Sequence, residues 1–294
     1  MLARHIALLV FSQVLWGANF AVVKWGLDDW PPLFFAALRM IAVAALICPF
    51  VGLPKRQDWK PVLTLGFILG VVHFACIFRG LALVDAATSS ILIQVQVPIA
   101  ALVAGLLFGD RIGWRRWSGM ALAFVGIVVL VGRPDFAGGW LGTGFILVAS
   151  LSWVASNLLI KKMAENMDGW RINAWVGLVA GPAMLALSFA TEDGQLAAMS
   201  AAGLAGWGAM AYQVLIVTAL CYGIWYAMMS RYPVSLVMPF TLLEPIFGAT
   251  TAVLLLGEGW DWRMVVGALL TMSGLAIIII RRPQVVTQPV GPGA

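Results

Sequence analysis

The chain has 294 residues, 62% of them hydrophobic and only 11% charged, with mean hydropathy +0.96 and formal net charge +5. Soluble domains carry about 25% charged residues, so this composition excludes a water-facing globular protein and requires an integral membrane protein. The sequence pI near 9.4 does not indicate a nucleic-acid partner, because the basic residues fall in short segments between apolar runs.

Those runs are about 20 residues long, enough to cross ~30 Å of hydrocarbon as helix, and the alternation of a membrane β-barrel is absent. The pattern predicts an all-α protein with helical spans over residues 5–27, 32–52, 61–83, 87–108, 114–132, 141–161, 171–190, 206–229, 234–256 and 262–281. The first span has no small-residue cleavage site and reads as a retained helix, not a signal peptide. Turn chemistry separates several spans, as in "DDWPP" (28–32) and "GRPDFAGG" (132–139). The longest connection, about residues 190–205, is acidic and rich in small residues. The tail, residues 283–294, reads as disordered. Cys48, Cys76 and Cys221 all lie within spans without a CxxC pair and read as buried free thiols.

With the N-terminus placed in the cytoplasm, 13 of the 18 Lys and Arg fall in inside segments. Arg133 and Arg263 fall outside, and Lys24, Arg39 and Arg79 lie within spans. The positive-inside rule therefore places both termini in the cytoplasm.

The chain also repeats itself. "WGANFAVVK" (16–24) resembles "WVASNLLIK" (153–161), and "VDAATSSILIQVQVPIA" (84–100) aligns with "RYPVSLVMPFTLLEPIF" (231–247). "GDRIGWRRWSGMALAFVG" (109–126) aligns with "GEGWDWRMVVGALLTMSG" (257–274), matching Gly109, Trp114, Gly119 and Gly126 with Gly257, Trp262, Gly267 and Gly274. The division is residues 1–136 and 137–282, five spans each. Five is odd, so the second copy enters the membrane from the opposite side. Inverted repeats of this kind are a common plan of secondary transporters, with the substrate near the midplane between the halves.

Pro98 and Pro245 are matched positions in the fourth and ninth spans and would break their helices. The turn before each carries Gln94 and Gln96 in one copy, Thr241 and Glu244 in the other. Helical spacing groups Gln94 with Val97 and Thr241 with Glu244, and turns Gln96 elsewhere. The expectation is a broken, polar turn lining a cavity at mid-depth; the alternative is a packing kink with a buried, neutral glutamate.

The motifs resemble the drug/metabolite transporter superfamily: "WG-N" in the first span, proline in the fourth, and "GD" and "GE" closing the fourth and ninth. "FAALRMIAVAALI" (35–47) and "LLEPIFGATTAVLLLGE" (242–258) are similar to signatures of that group. Two copies of the EamA-type five-helix unit cover residues 5–281, most similar to bacterial ten-helix exporters of amino acids, including aromatic ones. The resemblance implies a central cavity formed mainly by spans 1, 3, 4, 6, 8 and 9, with spans 5 and 10 as scaffold. The sequence departs from a symmetric acidic pair, since the first copy has Gln-Val-Pro spacing (Gln96, Pro98) where the second has Glu-Pro.

Among candidate residues, Glu244 leads, because an ionisable group at mid-membrane is costly and usually functional. It could bind a substrate ammonium, carry a coupling proton, or simply bond to Gln94. Trp16 and Asn19 share a helix face, as do Trp153 and Ser156, with Asn157 adjacent; they form either a cage for an amino acid or glue between helices. Tyr222 and Trp225 share a face, and Phe78 matches Trp225 in the repeat; they suit an aromatic side chain or a cation, or ordinary packing. His73 either shuttles protons or is a satisfied buried group. Arg39 lies too deep to ignore and receives no role; Lys24 and Arg79 snorkel from span ends. Gly119/Ala123 and Gly267/Thr271 indicate close helix packing, either between spans 5 and 10 or between protomers.

No GxxxxGK[ST] is present, so the chain alone is not expected to use ATP, and no cofactor or metal is expected. The expectation is a secondary exporter in a bacterial inner membrane, working by alternating access on a small-molecule substrate, neutral or aromatic amino acids first. Drugs, nucleotide-sugars or other metabolites are the alternative cargo. An intramembrane enzyme, resting on Glu244 and His73, is the alternative outside transport. Coupling to protons and the oligomeric state stay open.

Overall fold

The structure, a computed structural model, describes residues 1–84, 89, 92–108, 113–131, 139–164, 166–256 and 261–279. The tail, Gly109 and Gly257 lie outside the described residues. Among the described residues the fold is helical, without strands. Helix α1 is Ala3–Asp29, α2 Pro32–Val51, and α3 Arg56–Leu83. Helix α4 is a 3-10 turn, Ile93–Val95, continued by Gln96–Phe108. Then come α5 Trp114–Val131, α6 Gly139–Met163, α7 Gly169–Thr191 and the short α8 Gln195–Ala201. Helix α9 is Leu204–Arg231, α10 joins Val234–Val237, Met238–Leu243 and Glu244–Leu256, and α11 is Trp262–Ile279.

Among the described residues seven helices are long and apolar enough to cross a membrane, and two shorter apolar helices accompany them, Ile93–Leu107 and Trp262–Ile278. Large apolar side chains such as Phe67, Leu106, Leu254 and Leu269 stand exposed on the outside of the bundle. Polar side chains such as Gln94, Gln213, Thr218 and Asn157 are buried within it. That inversion of the water-soluble pattern, with apolar length, makes this a multi-pass membrane protein.

Two features of the sequence were not visible as spacing. The stretch expected as a loop near 190–205 carries α8, whose Ala-rich "QLAAMSA" starts after Gly194 in the left-handed region at φ +82°. The carboxylate of Glu192 accepts from the backbone N–H groups of Leu33 (2.9 Å) and Phe34 (3.1 Å), capping α2, whose first residue is Pro32. Arg79 pairs with Glu192 at 3.7 Å, so it has a specific partner instead of only snorkelling.

The packing pairs α2 with α7, α5 with α11, α3 with α6, and α1 with both α9 and α10. Small residues permit the closest approaches. A Cβ on Gly274 would lie 2.5 Å from the Gly119 carbonyl oxygen, and one on Gly126 2.7 Å from that of Gly267. The matched glycines thus serve the α5–α11 contact within one chain. On the other side, a Cβ on Gly17 would lie 2.9 Å from the Glu244 carbonyl oxygen, so the glycine of "WG-N" lets α1 approach the start of the Glu244 helix.

Two helix pairs depart from α geometry. Gly66–His73 in α3 and Tyr212–Cys221 in α9 are π-helical, and 3-10 turns precede the prolines of α4 and α10. The prolines do not interrupt the chain of helix. Pro245 is the second residue of Glu244–Leu256 and Pro98 the third of Gln96–Phe108, first-turn positions where a missing N–H costs little.

Candidate functional site

A central cavity of about 100 Å³ lies where α1, α2, α3, α4, α6, α9 and α10 meet. Of the residues singled out in the sequence, Trp16, Asn19, His73, Phe78, Trp153, Tyr222 and Glu244 line it. Arg39, Phe74 and Gln96 join them. The second span, absent from the set expected to form the cavity, therefore contributes through Arg39.

The walls are aromatic. Trp16 meets Tyr222 at 5.3 Å, Trp153 at 6.0 Å and Trp225 at 5.3 Å between ring centroids. Trp153 stacks at 5.2 Å on His73, and Phe78 meets Phe35 edge-on at 5.8 Å. His73 Nδ1 donates to the Ala149 carbonyl oxygen at 2.8 Å, which fixes the ring and leaves Nε2 as the acceptor.

Several predicted residues stand elsewhere. Gln94 does not line the cavity; its Nε2 donates to the Thr241 carbonyl oxygen at 3.1 Å, clasping α4 to α10. Gln96 lines it instead. The α-helical spacing used to orient these side chains fails because Ile93–Val95 is a 3-10 turn with three residues per turn. The same clasp removes Gln94 as a partner for Glu244. Ser156 donates to the Ser152 carbonyl oxygen at 2.7 Å, within its own helix. Asn157 accepts from the Trp225 indole N–H at 2.6 Å. Trp225 is fully buried behind Trp16 and Trp153, so this pair supports the cavity wall and does not face it.

The cavity holds one acid and one base. Glu244 is buried, and among the described residues its carboxyl group has neither a hydrogen bond nor an ion pair. Arg39 is buried across from it on α2, its Nε donating to Thr218 Oγ1 (2.7 Å) and Nη1 to Gln213 Oε1 (3.0 Å). Phe74 covers the guanidinium at 4.4 Å. Gln213 in turn donates to Asn19 Oδ1. The π-helical stretch of α9 makes this arrangement possible: Thr218 Oγ1 donates to the Gln213 carbonyl oxygen five residues earlier at 2.7 Å. Gln213 and Thr218 were missed in the sequence because nothing in α-helical periodicity groups residues five apart.

The two ends of the bundle differ. Near the N-terminus His5 Nδ1 bonds to Tyr232 Oη at 2.7 Å, and Lys161 Nζ donates to the Met229 and Tyr232 carbonyl oxygens at 3.0 and 3.2 Å. These bonds tie α1, α6 and α9 together. At the opposite end a broad recess of about 740 Å³ is lined by Asp28, Asp29, Arg79, Glu192 and Asp193.

Known proteins carry the same pattern over nearly the whole chain. It is 31% identical over 281 residues to a "Probable amino-acid metabolite efflux pump" of Salmonella typhimurium, covering 92% of this chain and 93% of that protein. It is 30% identical over 282 residues to a protein of the same description in Escherichia coli, with the same coverage. A crystal structure shares the fold with TM-score 0.78 at 17% identity, covering 95% of this chain and 99% of its own. The model of the EamA-like transporter family matches twice, at residues 3–132 and 140–280. A two-fold family match, whole-length relatives and a polar cavity buried in a membrane bundle lead to one conclusion: this chain belongs to the EamA-like transporter family.

Proposed function

We propose that this protein is a secondary exporter of small metabolites, neutral or aromatic amino acids first, working by alternating access in a bacterial inner membrane. The observation that carries the reading is the cavity itself: one buried acid and one buried base, set apart from each other among indole and phenol rings. Glu244 suits a substrate ammonium, and the aromatic wall suits an apolar side chain. Relatives named as amino-acid metabolite efflux pumps support that cargo.

The architecture of the proposal is ten crossings in two inverted five-helix halves, 1–136 and 137–282, with both termini cytoplasmic. The π-helical stretches of α3 and α9 start at residues 66 and 212, 146 apart, and the 3-10 turns of α4 and α10 at residues 93 and 238, 145 apart, which supports the repeat. Inverted halves of near-equal stability can exchange shapes, one opening inward as the other opens outward. The tied N-terminal end and the broad recess at the other end fit one such state.

Counterflow tests the function. Purified protein in vesicles preloaded with unlabelled amino acid should accumulate labelled phenylalanine, methionine or threonine added outside. A cationic dye or a nucleotide-sugar offered in the same way should not accumulate. Accumulation of the dye or the sugar in place of the amino acids would replace the cargo assignment, and accumulation of none by folded protein would refute it.

A further inference from the structure

Arg39 is a buried charge with no anion to meet it. Its exposure is 2%, and no acidic side chain pairs with it among the described residues. Its geometric hydrogen-bond partners, Thr218 Oγ1 and Gln213 Oε1, are neutral, the phenol of Tyr222 beside the guanidinium is neutral as well, and Nη2 makes no well-formed hydrogen bond. Guanidinium does not shed its charge, so neutral hydrogen bonds leave the cost of burying that charge largely uncompensated. An arginine kept for structure alone would have its donors satisfied.

The surrounding atoms hold the group still. Asn173 Nδ2 donates to the Thr218 carbonyl oxygen at 2.6 Å, Thr218 is tied to Gln213, and Gln213 to Asn19. Phe74 blocks one face at 4.4 Å. Two edges of the fork are thus fixed, and the remaining one belongs to a residue that lines the cavity. The indole N–H groups of Trp16 and Trp153 are likewise buried without acceptors, and Gln96 Oε1 is buried without a donor. The cavity therefore has spare donors around one charge and spare acceptors, Gln96 Oε1 and Glu244, for the other. Tyr222 lines the same cavity as Arg39 and Glu244, its ring 5.9 Å from the guanidinium.

We propose that Arg39 binds the substrate carboxylate, so that the cavity recognises an α-amino acid as a zwitterion, with Glu244 taking the ammonium; this rests on the exporter reading above. A carboxylate at Nη2 would make charge-assisted hydrogen bonds, which are roughly twice as strong as neutral ones. The assignment predicts selectivity that an aromatic cage alone would not give: amines and esters with the same side chain should be poor ligands.

The test uses binding of four probes to the purified protein: L-phenylalanine, its methyl ester, phenethylamine and 3-phenylpropanoate. The wild type should bind phenylalanine at least about tenfold more tightly than the ester or phenethylamine, each tenfold being about 1.4 kcal/mol. Arg39→Gln should bring phenylalanine down to the level of phenethylamine and leave phenethylamine unchanged, whereas a merely structural arginine would lower every ligand alike. Equal wild-type affinity for acid and ester, a uniform loss in Arg39→Gln, or no binding by either carboxylate overturns the proposal. The wild-type ligand series decides by itself if Arg39→Gln does not fold. Carboxylate preference without counterflow would sink the exporter reading and leave the Arg39 site standing; counterflow without that preference would do the reverse.

Discussion

Around the central cavity, Trp16 Nε1, Trp153 Nε1, Gln96 Oε1 and Arg39 Nη2 are buried without hydrogen-bond partners. Along the α5–α11 contact the one fully buried hydroxyl, that of Thr271, donates to the Gly267 carbonyl oxygen at 2.8 Å. There the backbones meet through Gly119, Gly126, Gly267 and Gly274. Both regions are built from apolar helices of similar composition. One brings backbones into direct contact and satisfies its buried hydroxyl; the other leaves polar capacity unused at the centre of a bundle where unmet groups are expensive. Gln13 Oε1, Trp30 Nε1 and Ser89 Oγ are also buried without partners away from the cavity; what sets the cavity apart is that four such groups converge on one void beside a buried acid and a buried base.

Four substitutions break or sharpen this contrast, in decreasing order of expected effect. Gly126→Leu should be the most damaging to folding, because its Cβ would lie 2.5 Å from the Thr271 backbone nitrogen, where neither helix can yield. Thermal unfolding in detergent should show a loss beyond the ~1–3 kcal/mol typical of overpacked cores. An unchanged melting temperature would mean that the α5–α11 contact is loose, and the contrast would fail.

Trp225→Phe should rank next. It strips the donor from Asn157 Oδ1, which is fully buried, and an orphaned acceptor costs about 1–3 kcal/mol. The same unfolding assay measures it, and no loss would imply that Asn157 finds another partner. Thr241→Val should cost about 0.5–1.5 kcal/mol, less because the hydroxyl's contact with Gln94 Oε1 is long at 3.4 Å; it removes that contact and the bond to the Met238 carbonyl oxygen but leaves Gln94 donating to the Thr241 backbone. Ser156→Ala should be close to silent in both stability and counterflow, because the hydroxyl only returns to its own helix at Ser152. A fall in counterflow with normal stability would place Ser156 against the substrate in a second state of the cycle.

The helical membrane character was legible because apolar length is a strong signal in a bilayer, and the family because tryptophan, glycine and proline recur in order. Part of the cavity wall was legible too: Trp16 and Trp153 lie at matched positions, and Glu244 is conspicuous as an acid in an apolar run. What the residues could not reveal depended on non-α geometry. Gln94 and Gln96 were assigned to the wrong faces because a 3-10 turn precedes Pro98, and Gln213 and Thr218 were missed because a π-helical stretch joins them. Arg39 was conspicuous by charge and depth, but its partners come from α9, 174 and 179 residues away, and spacing along one helix carries no information about them.

The most direct test of the claim that this cavity is the transport site is equilibrium exchange of labelled phenylalanine in vesicles carrying Glu244→Gln, beside the wild type. Glutamine keeps the size and shape of the side chain and removes its capacity to ionise. The account predicts that exchange falls at least about tenfold, the loss of one charge-assisted contact to the substrate, while the melting temperature stays near that of the wild type. Exchange at the wild-type rate from the folded variant would contradict it, and with the response to a pH gradient lost would reassign Glu244 from holding the substrate to carrying a coupling proton.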